Sequence, residues 1–227
     1  SPTVANSSVQ PTANLVLTFN EVVNTDSGTI SIYQTSNNVL VETMTATSAQ
    51  VTGSGSTTIT INPVNDLQAN ISHYVLITNR AFKDNANNYY AGIALTNTWY
   101  FTTVDTVAPT LSSASTNATG NQIVLTMSEN LTTTLSLQPA VSAFSVLADS
   151  IVDTVTAVSA STNKVTLTLT RNINPGQTVT IAYTDPTGAN DTNALQDTTG
   201  NDAATWSATS VTNVVIAKVT SVSATNA

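Results

Sequence analysis

Length, composition and charge exclude several classes of protein. The 227 residues allow one large β domain or two domains of about 100–110 residues, and the absence of Cys excludes disulfide-stapled folds and thiolate metal sites. Five Lys and Arg against thirteen Asp and Glu give a net charge of −8. This charge argues against nucleic acid and anionic membranes as partners, whereas divalent cations are compatible with it.

Short alternations of apolar and polar residues run along the whole chain. In Leu15–Phe19, Thr57–Ile61 and Val165–Leu169 every second residue is apolar, which is the period of a strand with one buried face. Similar runs, in chain order, are Ile30–Tyr33, Val39–Met44, His73–Ile77, Thr98–Phe101, Ile123–Met127, Ala143–Leu147, Val152–Val158, Val179–Tyr183 and Ser210–Ile216. Turn-forming residues, such as Gly53-Ser54-Gly55, separate the runs. This spacing predicts an all-β sandwich with Greek-key connections.

An internal repeat divides the chain into two units. Residues 14–21 reappear as 121–129, where an amphipathic strand again ends in a Glu. Late in each unit an Asp/Asn-rich loop, 83–88 or 196–202, precedes a strand carrying Trp99 or Trp206. The Pro-containing linker 103–110 is too short to be a flexible tether. We therefore expect one sandwich over 1–104, a second over 105–216 and an extra strand in 217–227.

Both units resemble known bacterial modules. Through residues 14–21, 82–84 and 98–103, the first resembles the bacterial Ig-like domain of S-layer proteins and large surface adhesins. Through residues 105–110, 179–188 and 196–202, the second resembles the related repeat of giant cyanobacterial-type surface proteins. The resemblance implies two tandem immunoglobulin-like β-sandwich domains in an extracellular protein, used as spacer, lattice or adhesion modules.

The C-terminal residues resemble the first strand of the second unit. Lys218–Ala227 reads like Pro109–Ala118, the predicted first strand of that unit, whereas the first unit begins at the loop that should follow such a strand. Two sandwiches end to end span several tens of Å at ~3.3 Å per extended residue, so the extra strand is expected to complete the first domain of the next molecule. The residues predicted to form this assembly strand are Lys218, Val219, Val222 and Ala224. The alternatives are an excerpt from a longer covalent array with the same geometry and a simple monomer.

The sequence offers little for catalysis. Its one His, His73, lies inside a strand-like run, and a Ser-His-Asp triad or a His-rich metal site needs more. Aromatic residues make up 5%, too few for the sugar-stacking cleft of a glycosidase or carbohydrate-binding module. Trp99 and Trp206 are predicted to anchor cores rather than to bind ligands. We therefore expect a non-enzymatic protein.

Two sets of acidic loop residues are candidate Ca²⁺ ligands, expected at the linker end of each sandwich. Ca²⁺ takes about six to eight oxygens from carboxylates, amides and main-chain carbonyls, and a cation there would clamp a module to its successor. The candidates are Glu21, Asp84, Asn87 and Asp105 in the first unit, and Glu129, Asp197, Asn201 and Asp202 in the second. In the alternative interpretation these residues only shape turns, and the loops lack the spacing of an EF-hand.

Two functions fit these observations. The first is a structural subunit of an extracellular filament, lattice or repeat stalk, whose copies assemble head to tail by strand complementation. The alternative is an adhesin or ligand-binding Ig-like module of a larger cell-surface protein, with a surface glycan or receptor as partner. Neither nucleic acid binding nor membrane insertion is expected. A subunit predicts protein contacts at both chain ends, whereas a binder predicts a concave pocket with clustered aromatic residues.

Overall fold

The computed structural model describes residues 6–134, 138–190 and 192–217. Within them the chain forms strands, turns and a 3-10 turn at Val141–Ala143. The chain divides into two compact units between Thr106 and Val107. In the described ranges no helix has the length and hydrophobicity to cross a membrane.

The first unit is a sandwich of two sheets. Its strands are β1 (Asn6–Val9), β2 (Leu15–Thr25), β3 (Thr29–Gln34), β4 (Leu40–Thr45), β5 (Val51–Thr52), β6 (Ser56–Ile61), β7 (Ser72–Ile77), β8 (Phe82–Asp84) and β9 (Tyr100–Thr103). One sheet has the order β1-β9-β7-β3-β4 and the other β5-β6-β2-β8. Neighbouring strands are antiparallel except β1, which runs parallel to β9 with Val9 opposite Thr103.

The second unit is a sandwich of two four-stranded sheets. Its strands are β10 (Leu111–Thr116), β11 (Gln122–Met127), β12 (Phe144–Ala148), β13 (Ile151–Asp153), β14 (Val155–Ser161), β15 (Lys164–Leu169), β16 (Val179–Tyr183) and β17 (Trp206–Val211). The sheet orders are β10-β11-β15-β14 and β13-β12-β16-β17, so the chain crosses repeatedly between sheets. The predicted fold class, two tandem immunoglobulin-like sandwiches in an all-β chain, is confirmed.

The apolar residues of the alternating runs form a separate hydrophobic core in each unit. In β11 the residues Ile123, Leu125 and Met127 are buried and alternate with half-buried ones. In the first unit the sheets close over a second cluster, which includes Ile59 and Phe101. Each fully buried large apolar side chain contributes about 1.5–3 kcal/mol relative to an exposed one, so these clusters hold each sandwich together.

Gly53 illustrates why the predicted turns carry glycine. It lies between β5 and β6 with φ +95°, a conformation that other residues rarely adopt. A Cβ there would lie 2.1 Å from the carbonyl oxygen of Thr58. The hairpin therefore depends on a residue without a side chain.

Two predicted runs do not form one continuous strand. The run Val152–Val158 is divided between β13 and β14, which belong to opposite sheets. The division follows Asp153, which is buried and accepts a hydrogen bond from the main-chain N–H of Arg171 at 3.2 Å. The run Ser210–Ile216 ends as a strand at Val211, because Thr212 pairs with β10 instead of continuing along β16.

Candidate functional site

The two copies of the repeated strand differ in how well their inward faces are covered. Aligned on the Glu that ends each repeat, the corresponding inward residues are Leu15 and Ile123, Leu17 and Leu125, and Phe19 and Met127. All three in β11 are at most 1% exposed. Of the three in β2, Leu15 alone is buried, while Leu17 and Phe19 are half-buried at the margin of the core. The inward face of β2 is therefore less completely covered than that of β11.

The difference follows from the neighbours of the two strands. In the second unit β10 covers β11, with Ala114 opposite Leu125 and Thr116 opposite Ile123. In the first unit β8 pairs with β2 only at Val23–Thr25, and no other described strand pairs with β2 on the side away from β6. We call residues Leu17–Asn20 on this side of β2 the acceptor edge.

An aromatic cluster marks one end of the acceptor edge. The register of β2 on β6 shifts between Thr18 and Val23, and Phe19 lies in this irregular part. The ring of Phe19 meets Phe82 and Tyr90 edge-on, with centroid distances of 5.5 and 5.2 Å. A pocket of about 140 Å³ lies beside Phe19 and Tyr90. Its lining combines these aromatic rings with the polar side chains of Asn20 and Asn88.

The structure brings Glu21 and Asp84 together and places Asp105 elsewhere. Both Glu21 and Asp84 line the pocket beside the aromatic cluster. Asp105 follows β9, a strand of the other sheet whose last residue, Thr103, lies opposite Val9, and its carboxylate accepts a hydrogen bond from the Asn70 side chain at 2.8 Å. Glu21 and Asp84 thus belong to one sheet of the sandwich, whereas Asp105 follows a strand of the other.

The Asp84 carboxylate is occupied by its own turn. Its oxygens accept hydrogen bonds from the main-chain N–H groups of Ala86 and Asn88 and from the Asn88 side chain, each at 2.8 Å. The Asn88 side chain is the main cause that holds the pKa of Asp84 below its ordinary value. Asn87 has φ 65°, which Asn tolerates better than most residues. These contacts match the turn-forming interpretation of the loop.

In the second unit Asp197 organises a similar turn. One carboxylate oxygen accepts hydrogen bonds from the main-chain N–H groups of Thr199, Gly200 and Asn201 at 2.7–2.9 Å. The other accepts from the side chains of Asn201 at 2.8 Å and Thr199 at 3.0 Å. Burial raises the pKa of Asp197, but these hydrogen bonds outweigh it and lower the pKa below its ordinary value. Asp197 is therefore ionised at neutral pH although it is 2% exposed.

The remaining second-unit candidates lie around this turn. Oxygen atoms of the Glu129 and Asp197 carboxylates lie within 4.8 Å of each other. Asn201 donates to Asp197, and the adjacent Asp202 is buried, with its main-chain N–H donating to the Asn190 side chain at 3.1 Å. Anionic oxygens are thus concentrated here, and Ca²⁺ binding stays a prediction.

The remaining candidates from the sequence are the assembly strand and His73. Lys218, Val219, Val222 and Ala224 lie outside the described residues. His73 is fully buried in β7, with its ring stacked on Phe101 at a centroid distance of 5.7 Å.

The two tryptophans lie in different surroundings. Trp99 precedes β9 and is 5% exposed in the core of the first unit. Trp206 opens β17 and packs against Tyr183, with ring centroids 4.7 Å apart, yet also lines a groove. That groove cannot be predicted from residue spacing, because the pairing of distant strands creates it.

Comparisons with known proteins match each unit separately. Residues 1–103 match the family model described as "Bacterial Ig-like domain". Residues 104–188 match the one described as "Putative flagellar system-associated repeat". The two matches support a bacterial Ig-like surface module. The narrower resemblance to S-layer and cyanobacterial-type repeats stays a prediction.

Whole-chain comparisons add little to these matches. A search of curated proteins finds no match to the chain. Among solved structures, murine CEACAM1b is similar at 12% identity over 91% of this chain and 95% of its own, with a TM-score of 0.19. A score this low does not establish a shared overall structure.

Proposed function

We propose that this protein is a structural, non-catalytic subunit of an extracellular assembly whose copies join head to tail by strand complementation. The segment 217–227 of one molecule adds to β2 of the next, along the acceptor edge Leu17–Asn20. The observation that carries the proposal is the incomplete cover of Leu17 and Phe19, compared with their buried counterparts in β11. In the second unit β10 provides that cover.

The C-terminal segment repeats the spacing of the residues by which β10 covers β11. The core-facing residues of β10 are Leu111, Ala114 and Thr116, three and then two positions apart because the strand is bulged. The residues of the segment with the same spacing are Val219, Val222 and Ala224. This match is shifted by one residue from the alignment of Lys218 with Pro109. Transferring the β10–β11 register places Val219 opposite Phe19 and Val222 opposite Leu17.

Such a contact combines two sources of binding energy. An added strand forms main-chain hydrogen bonds along the acceptor edge, and the alternate side chains supply specificity. Burying two Val side chains stabilises the contact by roughly 3–6 kcal/mol before the entropy of association is subtracted. Because the surfaces on the two molecules differ, the contact is heterologous and propagates as an open filament unless the rotation closes a ring.

Truncation tests the proposal. Full-length protein and a chain ending at Ala217 are compared by electron microscopy and analytical ultracentrifugation. We expect only the full-length protein to assemble, and a synthetic peptide of residues 217–227 to bind the truncated chain. A peptide of the same composition in scrambled order is the control. Normal assembly by the truncated chain, or equal binding of both peptides, would show that the segment is not the connecting strand.

A further inference from the structure

A groove of about 480 Å³ opens between β10 and β17 in the second unit. These two strands are edge strands of opposite sheets. They meet at one end, where the Thr212 N–H donates to the Ala114 carbonyl at 2.9 Å and the Thr116 N–H donates to the Thr212 carbonyl at 3.0 Å. Toward Pro109 and Ala204 they line opposite sides of what we call the β10–β17 groove. Its size falls within the roughly 300–1,000 Å³ of ligand-binding clefts.

A bulge in β10 accounts for the opening. Leu111 and Ser113 pair with consecutive residues of β11, which leaves Ser112 as the extra residue. A bulge bends its strand and increases the local twist, so this part of β10 follows β11 rather than β17. In the described part of the chain, no strand lies beside Trp206–Ser210 of β17 on the side away from β16.

The first unit shows what fits such an edge. Aligned on the tryptophans, β17 corresponds to β9, with Ser210 in the place of Thr103. Beside β9 lies β1, a parallel strand with the sequence Asn-Ser-Ser-Val, and its Val9 is opposite Thr103. The equivalent edge of β17 therefore has the geometry to pair with a parallel strand of small, uncharged residues.

The chemistry of the groove agrees with that occupant. Its lining contains Thr, Ser, Ala, Pro, Leu and Trp side chains and no charged residue. The Trp206 indole nitrogen is buried, and no hydrogen-bond acceptor of the described residues is within reach. Because the main-chain groups of Thr212 point toward β10, those of Ser210, two residues earlier, point to the same side. The groove therefore presents main-chain hydrogen-bonding groups of Ser210 on an uncharged surface, with an indole N–H beneath it that lacks a partner among the described residues.

We propose that the β10–β17 groove binds an extended, uncharged peptide segment of a partner protein, which adds to β17 in parallel. Its backbone pairs with Ser210, and a rotation of the Trp206 ring on binding brings the buried indole N–H to one of its carbonyl groups. The edge Trp206–Ser210 accommodates about five residues, or roughly 17 Å of strand. A charged side chain is disfavoured because the lining offers no counter-charge. This site involves neither β2 nor residues 218–227, so it is independent of strand donation.

The test measures peptide binding to full-length protein immobilised at low density, by surface plasmon resonance. The probe is a synthetic peptide of residues Asn6–Ala13 with blocked ends, which carries the sequence of β1. Ser210→Pro removes the N–H that faces the groove, and proline is tolerated at such edge positions. Trp206→Phe removes the indole N–H. The matched control is Ser207→Ala, an exposed position on the same strand outside the groove lining.

We expect saturable binding that Ser210→Pro weakens at least tenfold, Trp206→Phe weakens about fivefold to tenfold, and Ser207→Ala leaves unchanged. Thermal unfolding confirms that each variant is folded. If Ser210→Pro does not fold, Trp206→Phe still tests the proposal. A peptide with Asp in place of Ser8 should bind at least tenfold more weakly. No saturable binding at millimolar peptide, or equal binding to all three variants, overturns the proposal. Self-association that Ser210→Pro abolishes would assign the groove to a second copy and also overturn it.

Discussion

Replacing Val222 by Ala in the C-terminal segment should weaken its binding to the first unit about fifteenfold. The proposed register places Val222 opposite Leu17, in the position that Ala114 occupies in β10. Ala114 is 6% exposed, so a side chain in this position is removed from water. Val→Ala deletes two methyl groups worth about 0.8 kcal/mol each, and a loss of about 1.6 kcal/mol corresponds to roughly a fifteenfold change in Kd.

Isothermal titration calorimetry measures this effect with synthetic peptides of residues 217–227 and a chain ending at Ala217. Ser221→Ala is the matched control, because its counterpart in β10, Ser113, is exposed. We expect the control peptide to bind like the unmodified one. Equal losses for Val222→Ala and Ser221→Ala would refute the register and the burial of Val222 against β2.

Three further predictions concern the units themselves. Burial lowers the pKa of His73 below 6.5, so the first unit should keep full stability above about pH 6.5 and lose it as the pH falls toward the folded-state pKa. Urea unfolding of His73→Leu should lack this loss, and an unchanged pH profile would contradict the reasoning. A Cβ at Gly120, where φ is +77°, would lie 2.1 Å from the Ile173 carbonyl oxygen. Gly120→Ala should therefore lower the free energy of unfolding by more than about 1 kcal/mol. Gly188→Ala, which meets nothing within 4 Å, should change it by less than about 0.5 kcal/mol, and similar losses for both would be contrary evidence. If Ca²⁺ binds through Asp197, calcium at about a hundred times its Kd should stabilise the second unit by about 2.7 kcal/mol, and Asp197→Asn should abolish the response. Identical calorimetric melting curves with chelator and with excess Ca²⁺ would rule this site out.

The sequence predicted the sandwich because local alternation reports which residues face a core. The inward residues of β11 are those that the alternation indicates. The same pattern could not show that Val152–Val158 crosses between sheets. Apolar and polar residues remain interspersed on both sides of the point where the chain leaves one sheet for the other. It also could not show where β17 ends, because Thr212 changes its pairing partner without any change in composition.

The candidate sites were predictable only in part. The sequence predicts that Asp84 and Asp197 lie in turn-rich acidic loops, and each does organise a turn. Asp84 and Asp105 are associated with strands of different sheets, and residue spacing does not encode which strands share a sheet. The reduced burial of Leu17, on which the proposed function rests, depends on which strands flank β2. The residue type cannot show the difference, because the half-buried Leu17 and the fully buried Leu125 are both leucines.

Disulfide trapping tests head-to-tail strand complementation most directly, because the chain has no Cys of its own. Ser113 lies opposite Thr126 in the second unit, so the proposed register places Ser221 of one molecule opposite Thr18 of the next. Directly opposed residues have Cβ atoms about 4.5–5.5 Å apart, close enough for a disulfide after small adjustments. The control pairs Ser221→Cys with Thr58→Cys, an exposed position on the strand beyond β2.

Oxidation of the Thr18→Cys/Ser221→Cys protein should give a ladder of covalent multimers on a non-reducing gel. A mixture of the two single-cysteine proteins should add only a dimer that joins one molecule of each kind, and the Thr58→Cys/Ser221→Cys control should give little of either product. Monomers alone from the Thr18→Cys/Ser221→Cys protein, or a ladder equally strong in the control, would contradict strand donation from one molecule to the next.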